Sequence, residues 1–300
     1  MLRPFALYQP TTVAEASDLL AREGANAALY AGGTEVLLIL KEGLLRVGSL
    51  IDVKRVPGLA AIRADNGHLS IGATATHRTV ENDATVRARC PLVAGVARHV
   101  ANIRVRSVGT VGGNLAFADP HSDLATVFLA FDAVVHLASR RGARTLPLAD
   151  FVRGPYETAR EEDEILTAVR LTPWSAHTAG AYAKFGVHER PTLGVAVALT
   201  RHGDAVGAVR VAVGCVGPRP QRIRAAEERL CGVSLADVAR HAGEVAELAA
   251  REVDPTTDLH GSAEYKRDMT RVFVRRTLLV AVARAAGRDT HERHPHTVIV

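Results

Sequence analysis

The first fifty residues alternate between short apolar runs and stretches whose apolar positions have helical spacing. Three runs are typical of buried strands: Phe5–Tyr8, Ala27–Ala31 and Leu50–Val53. Thr12 and Glu15 match a capping box, in which a hydroxyl and a carboxylate satisfy the free N–H groups at a helix start. A second helix is predicted over residues 35–41 and is ended by Gly43. Strands that alternate with helices in this way predict an α/β unit.

Two further changes of pattern divide the rest of the chain. After Pro57-Gly58 the predicted strands are Leu69–Ala73, Ala133–Ala138 and Glu164–Leu171, and the predicted helices cover 80–100, with a break at Cys90-Pro91, and 123–131. After Trp174 come the strand Ala181–Phe185, a hairpin of Val195–Thr200 with Val206–Gly214, and helices near 223–230, 235–252 and 262–287. We therefore predict units of residues 1–57, 58–175 and 176–288, with a poorly tied tail over 289–300.

Composition and charge then narrow the classes of function. The formal net charge of +5 is mild for 300 residues and Lys and Arg are scattered, so no nucleic-acid partner is expected. Cys90, Cys215 and Cys231 are far apart, which disfavours a disulfide framework, a metal site or an iron–sulfur cluster within this chain. The first residues lack an apolar signal segment, and no apolar run approaches the ~18 residues of a membrane span. We therefore expect a soluble, cytoplasmic protein.

A glycine-rich segment carries the strongest indication of chemistry. Gly109, Gly112 and Gly113 lie close together and are followed by Asn114 and Asp123. Glycines crowd in this way where the backbone takes φ > 0 or approaches another group closely, and free N–H groups at such turns bind phosphate. A carboxylate and an amide beside a phosphate site suggest a ligand with hydroxyls, such as a ribose or ribityl chain.

A second glycine turn, Gly32-Gly33-Thr34, follows a predicted strand and precedes a predicted helix. One such turn alone is more often a tight connection than a ligand site, but two in one chain favour a nucleotide cofactor. Neither turn matches G-x-G-x-x-G or G-x-x-x-x-G-K-[ST], which disfavours a Rossmann domain and a P-loop NTPase. Because no nucleophile–base pair is evident, we expect a bound cofactor to perform the chemistry, without a catalytic side chain.

The same residues resemble a known family. Ala31-Gly-Gly-Thr-Glu35 and Thr110-Val-Gly-Gly-Asn114 are similar to the two flavin loops of the FAD-binding subunit of molybdenum hydroxylases. Tyr182-Ala-Lys-Phe185 and Gly261-Ser-Ala-Glu-Tyr265 also fit, and the resemblance covers nearly the whole chain. It implies an α+β fold, in which a two-subdomain α/β FAD-binding domain is followed by a C-terminal antiparallel sheet plus a helix bundle.

The resemblance also implies which residues bind FAD. The two loops would wrap the diphosphate through backbone N–H groups, Asp123 would accept hydrogen bonds from ribityl or ribose hydroxyls, and Lys184 would place a positive charge beside the flavin. The implied set is Leu29, Tyr30, Ala31, Gly32, Gly33, Thr34, Glu35, Val36, Val100, Thr110, Val111, Gly112, Gly113, Asn114, Asp123, Leu166 and Lys184. His77, for which the sequence shows no partner, is interpreted as a hydrogen-bonded structural residue.

In the family, this subunit passes electrons on and does not itself hydroxylate the substrate. A large molybdopterin-binding subunit and a small [2Fe-2S] subunit are its partners, and FAD hands electrons to an external acceptor such as NAD, oxygen or a quinone. The resemblance therefore implies an FAD-binding electron-transfer subunit of a heterotrimer, doubled to a hexamer. Two alternatives stay open: a stand-alone flavin oxidoreductase without molybdenum partners, and a scaffold that has lost FAD.

Overall fold

The computed structural model describes residues 3–186, 190–288, 290 and 294–300. The first lobe is a three-stranded parallel sheet in the order β1-β3-β2, covered by one amphipathic helix. Its elements are β1 (Ala6–Tyr8), α1 (Val13–Glu23), β2 (Ala27–Tyr30), α2 (Val36–Lys41) and β3 (Ser49–Asp52). The predicted α/β unit is confirmed. The capping box differs in detail, because the Thr12 hydroxyl accepts from Glu15 N at 3.1 Å while the Glu15 carboxylate accepts from Thr11 N at 2.8 Å.

The second lobe packs six helices against an antiparallel sheet in the order β4-β5-β10-β6-β7. Its strands are β4 (Ile62–Asp65), β5 (His68–Gly72), β6 (Val134–Ser139), β7 (Gly142–Pro147), β8 (Val152–Gly154), β9 (Glu157–Thr158) and β10 (Ile165–Leu171). Its helices are α3 (His77–Asn82), α4 (Ala84–Arg89), α5 (Pro91–Arg98), α6 (Ile103–Val108), α7 (Val111–Phe117) and α8 (Asp123–Leu129), with a short α9 (Leu148–Phe151) before β8. The predicted break at Cys90-Pro91 is confirmed, since Pro91 opens α5 where its missing N–H costs nothing.

The C-terminal unit is an antiparallel sheet in the order β14-β13-β12-β11-β15, with three helices on one face. Its elements are β11 (Thr178–Phe185), β12 (Leu193–His202), β13 (Ala205–Gly214), β14 (Gln221–Arg222), α10 (Arg224–Leu230), α11 (Val238–Glu252), α12 (Ala263–Ala285) and β15 (Thr297–Ile299). The predicted hairpin is confirmed, because β12 ends at His202 and β13 begins at Ala205. The antiparallel sheet and the helices agree with the expected α+β fold.

The prediction of a poorly tied tail is wrong for its last residues. β15 pairs with β11, Tyr182 N donates to Val300 O at 3.0 Å, and Arg284 donates to the same carbonyl at 2.9 Å. The Val300 side chain fills the space above Gly95, where an added Cβ would lie 2.2 Å from it. The short Thr-Val-Ile run carries too weak a pattern to predict a strand, and the partner that orders it is distant in sequence.

One apolar core joins the second lobe to the C-terminal sheet. Tyr182 on β11 and Ala196 on β12 belong to the same buried cluster as Leu124 and Phe128 on α8. The two faces of the C-terminal sheet therefore have different partners, α8 and α5 on one side and α10–α12 on the other. Among the described residues, none of the helices is both long and apolar enough to cross a membrane.

Candidate functional site

A cavity of about 1180 Å³ runs between the first lobe, the second lobe and the edge of the C-terminal unit. Small-molecule pockets typically measure about 300–1,000 Å³, so this one suits a ligand larger than a single nucleotide. All the residues of the implied FAD set line it except Val111 and Lys184. Val111 is fully buried beneath the second glycine segment, and Lys184 lies behind Asp123.

The first glycine turn presents free backbone donors to this cavity. Gly33 has φ of +75°, and a Cβ there would lie 2.6 Å from the Tyr30 ring. Gly32 packs against the second lobe, since its Cβ would lie 2.3 Å from Val108 O. The N–H groups of residues 32–36 donate no hydrogen bond to any residue in the described part of the chain. Successive unpaired N–H groups of this kind form a concave anion site.

The second glycine segment differs from its prediction. Thr110 is the N-cap of α7, so residues 111–114 form the first turn of a helix. Neither Gly109 before the cap nor Gly112 and Gly113 within the turn has positive φ. Its N–H groups are already paired: those of Val111 and Gly112 donate to Ala75 O and Ala73 O, and that of Gly113 donates to the Thr110 hydroxyl. Gly112 is required for close packing instead, because a Cβ would lie 2.5 Å from that of Ala73. This segment therefore shapes the cavity wall without offering those N–H groups to a diphosphate.

Asp123 lies where two units meet. It begins α8 behind the N-cap Ser122 and is 5% exposed. Its Oδ1 accepts from the Tyr182 hydroxyl at 2.8 Å and its Oδ2 accepts from Lys184 Nζ at 2.7 Å. Burial raises the pKa of Asp123, and the Lys184 ammonium lowers it in part. An ionised carboxylate has about four lone-pair sites, so Asp123 retains capacity for hydroxyl donors from the cavity.

Lys184 lies next to Asp123 and does not itself line the cavity. Its ammonium donates to Asp123 and to His99 O, the latter at 2.9 Å, and its side chain is nearly buried. The positive charge is balanced by a carboxylate that lies between it and the cavity. The lysine therefore orients Asp123, and its role toward the flavin stays a prediction.

His77 lines the cavity and was not placed there by sequence reasoning. It is 3% exposed, and its Nδ1 has no hydrogen-bond partner among the described residues. The interpretation of a hydrogen-bonded structural histidine is therefore wrong for that nitrogen. Burial, with a smaller effect of the Arg106 guanidinium, lowers the pKa of His77 to about 4, so the imidazole is neutral at pH 7.

Two further features of the rim involve Arg190 and Phe117, which lie outside the two glycine motifs. Arg190 donates to Glu35 at 3.2 Å and lies 3.1 Å from the Asp119 carboxylate, so one guanidinium bridges both lobes. Phe117 lines the cavity and packs edge-on against Tyr156, with ring centroids 5.1 Å apart. In the sequence, only the acidic residues near the glycines indicated these contacts. Their contact partners are distant in sequence and could not be predicted from local patterns.

A cluster of His121, His260, Asp258 and Lys266 completes the wall on the C-terminal side. His121 and His260 both line the cavity, and their rings lie 4.4 Å apart. No group of three or more His, Cys, Asp or Glu residues in the described ranges has the arrangement of a metal site. The cavity thus offers free N–H groups at one position, a partly satisfied carboxylate at another, and aromatic and imidazole rings on its walls. This donor set fits a dinucleotide such as FAD, whose phosphates, hydroxyls and rings require these groups.

Comparison with known proteins adds to this geometry. A family model described as the FAD binding domain in molybdopterin dehydrogenase matches residues 3–174, and one described as the CO dehydrogenase flavoprotein C-terminal domain matches residues 167–281. The carbon monoxide dehydrogenase medium chain of Hydrogenophaga pseudoflava is 34% identical over 284 residues, which cover 94% of this chain and 98% of that protein. The nicotine 6-hydroxylase medium subunit of Paenarthrobacter nicotinovorans is 32% identical over 277 residues, which cover 92% and 96%. In a solved structure of carbon monoxide dehydrogenase from H. pseudoflava, a chain with 34% identity superposes with a TM-score of 0.91 and covers 95% of this chain and 99% of its own length.

Proposed function

The chain belongs to the FAD-binding medium subunits of the carbon monoxide dehydrogenase and xanthine dehydrogenase family, and from this we propose that it is the electron-transferring FAD subunit of a heterotrimeric molybdenum hydroxylase. In this proposal a small [2Fe-2S] subunit supplies electrons that a large molybdopterin-binding subunit takes from the substrate. The chain then delivers them through FAD to an external acceptor. Homologues of this chain are oxidoreductases, and the cofactor of the family is FAD.

One observation carries the proposal: a single cavity gathers nearly all of the residues that the family resemblance implies, although they come from both lobes. The residues between Gly32 and Val36 would hold the diphosphate through their unpaired N–H groups. Asp123 would hold hydroxyls of the ribityl chain or ribose, oriented by Tyr182 and Lys184. When bound, FAD supplies one- and two-electron exchange.

The residues around the cavity would limit which molecules can reach a bound cofactor. Gly32 packs against Val108 on one side of the cavity, and the Arg190 bridge to Glu35 and Asp119 crosses the rim. An FAD held in this way has one ring system near the C-terminal unit, where a partner protein or a diffusing acceptor would exchange electrons with it. The relatives are named for carbon monoxide and nicotine, so the substrate of the complex is expected to be selected elsewhere than on this chain.

The proposal is tested by purifying the native complex through this chain and analysing its cofactors and metals. We expect two partner chains, bound FAD with absorption near 450 nm, and molybdenum and iron in the same fraction. Anaerobic addition of the substrate of the complex should then bleach the flavin absorption, and removal of the iron–sulfur subunit should prevent this.

Two outcomes would contradict the proposal in different ways. Recovery of the chain alone with FAD, without molybdenum or iron and with its own turnover, would instead support a stand-alone flavin oxidoreductase. Recovery without FAD, even after incubation with excess cofactor, would contradict cofactor binding itself.

A further inference from the structure

Arg160 is a cation of the cavity wall whose guanidinium is bonded only to neutral oxygens. It follows β9, is partly buried and lines the cavity. Its Nη1 donates at 3.0, 3.1 and 2.8 Å to three backbone carbonyls of the loop that follows, those of Glu161, Glu162 and Glu164. Within the described part of the chain, Nε and Nη2 donate to no residue and the guanidinium forms no ion pair. One nitrogen therefore fixes the group, and the other two keep their N–H groups for a ligand.

The charge of Arg160 is poorly compensated by its surroundings. Other carboxylates of this loop pair with two different arginines, Glu161 and Asp163 with Arg141, and Glu164 with Arg144. Burial lowers the pKa of Arg160, and the nearby carboxylates offset this only in part. An arginine nevertheless keeps its proton in a protein, and a charge taken out of water is normally paired. The cavity wall therefore contains a fixed cation that lacks a partner within the described residues.

The remaining arginine and carboxylates of the cavity wall are arranged differently. In the described ranges all but one of them are paired, Arg190 with Glu35 and Asp119, and Asp123 with Lys184. The exception is Glu162, an exposed residue that lines the cavity from the same loop as Arg160. This loop therefore offers a planar cation and a carboxylate to one part of the ligand.

The loop meets the cavity on the side of the first lobe. Its last residue precedes Ile165, which shares an apolar core with Leu20 of α1, and both of these residues line the cavity. Asp123 contacts β11 of the C-terminal unit instead. In a dinucleotide the diphosphate lies between the two ring systems. If residues 32–36 hold the diphosphate and the flavin lies towards the C-terminal unit, the adenosine lies on the side of Arg160.

We propose that Arg160 binds the adenine of FAD, with its planar guanidinium against the face of the base. This inference rests on the proposed function. A guanidinium is weakly hydrated and stacks well on aromatic rings, and the contact is favourable because the ring face attracts a cation. The diphosphate suits this position less, because the Glu162 carboxylate would repel it. Adenine is neutral, and its amino group can donate to that carboxylate. Arg160 would thereby help the site to select FAD over FMN, which has no adenosine.

The test compares the dissociation constants of FAD and FMN for the full chain freed of cofactor, measured by flavin fluorescence. Arg160→Met should weaken FAD binding about fivefold and leave FMN binding unchanged. Arg160→Lys keeps a charge and donors for the loop carbonyls but loses the planar face, so it should also weaken FAD alone. Arg219→Met is the matched control, because Arg219 also donates only to backbone carbonyls, those of Ala149 and Val152, and does not line the cavity. It should bind both flavins as the wild type does.

Three results would overturn the proposal. Unchanged FAD affinity in R160M and R160K would show that Arg160 does not contact the cofactor. Equal weakening of FAD and FMN would show that the substitution acts through the loop, since FMN has no adenine. Wild-type FAD affinity in R160K with a loss in R160M would assign Arg160 to the diphosphate, which an ammonium binds as a point charge. If R160M does not fold, the ratio of FAD to FMN affinity in R160K decides. Failure of the wild type to bind FAD would instead contradict the proposed function.

Discussion

Replacing His77 should remove a large part of the acid sensitivity of this protein. Its imidazole is neutral in the folded state because burial lowers its pKa to about 4, whereas in the unfolded chain it titrates near 6.5. Between these two values the unfolded state binds a proton that the folded state does not. The stabilising contribution is therefore fully present above pH 6.5 and is lost as the pH falls towards 4.

The magnitude follows from the size of the shift. One pKa unit corresponds to about 1.36 kcal/mol, so the full shift is worth about 3 kcal/mol of unfolding free energy. Between pH 7 and pH 5 the loss is about 2 kcal/mol. His77→Phe has no proton to bind, and since Nδ1 forms no hydrogen bond its removal leaves no partner unpaired. The variant should match the wild type at pH 7 and exceed it at pH 5.

The assay is urea unfolding of the FAD-free protein, followed by far-UV circular dichroism at pH 7, 6 and 5. His99 and His136 also have lowered pKa values through burial, but they contribute equally to both proteins and cancel in the difference. His202→Gln, which is exposed, should keep the pH dependence of the wild type. Parallel loss of stability in H77F and the wild type from pH 7 to pH 5 would refute the reasoning, because it would show that the folded state protonates this imidazole as readily as the unfolded state does.

Three other substitutions test separate parts of the site. Gly33→Ala and Gly43→Ala impose the same left-handed backbone strain, with φ of +75° and +73°, but only position 33 has neighbours that a Cβ would strike. G43A should lose about 1 kcal/mol of stability and G33A at least as much, because its Cβ also meets the Tyr30 ring. G33A alone should lose bound FAD, as read from flavin absorbance; equal FAD content in the two folded variants would contradict the N–H cradle. Asp123→Asn leaves a buried ammonium without its counter-charge and should cost about 3–5 kcal/mol in urea unfolding, whereas Asp18→Asn, in an exposed pair, should change little. A small effect of D123N would mean that the pair is hydrated. Arg190→Met removes the bridge between the lobes and should speed FAD release roughly fivefold in a stopped-flow exchange assay. The melting temperature should not change. An unchanged release rate would show that the bridge does not restrain the cofactor.

Local patterns were sufficient for the parts of the fold that depend on neighbouring residues. The turn after β2 needs Gly33 because of its backbone angle, and the start of α12 needs Ser262 to accept from Tyr265 N. Both signals lie within a few residues of the feature that they predict. The hairpin between β12 and β13 is of the same kind, and its bounds were predicted closely.

Contacts between distant segments were not predictable from such patterns. The N–H groups of Val111 and Gly112 donate to backbone carbonyls that follow a strand about forty residues earlier in the chain. A glycine pattern that is typical of a ligand-binding loop therefore forms the packed start of a helix. His121 and Asp258 lie 3.3 Å apart only because the fold brings the segment before α8 to the C-terminal unit. The resemblance implied residues that the structure gathers around one cavity, but the partner that neutralises Lys184 became visible only in the structure.

The two family models meet near residue 174 of this chain. Asp123 lies in the first matched segment, and its two partners, Tyr182 and Lys184, lie in the second. A recombination that exchanged the second segment alone would replace Tyr182 and Lys184 while keeping the buried carboxylate that they satisfy. The same exchange would also replace the part of the apolar core that the C-terminal sheet contributes around α8. We therefore expect the two segments to be inherited together, and chimaeras joined at this junction to survive only when both parents carry compatible residues at these three positions.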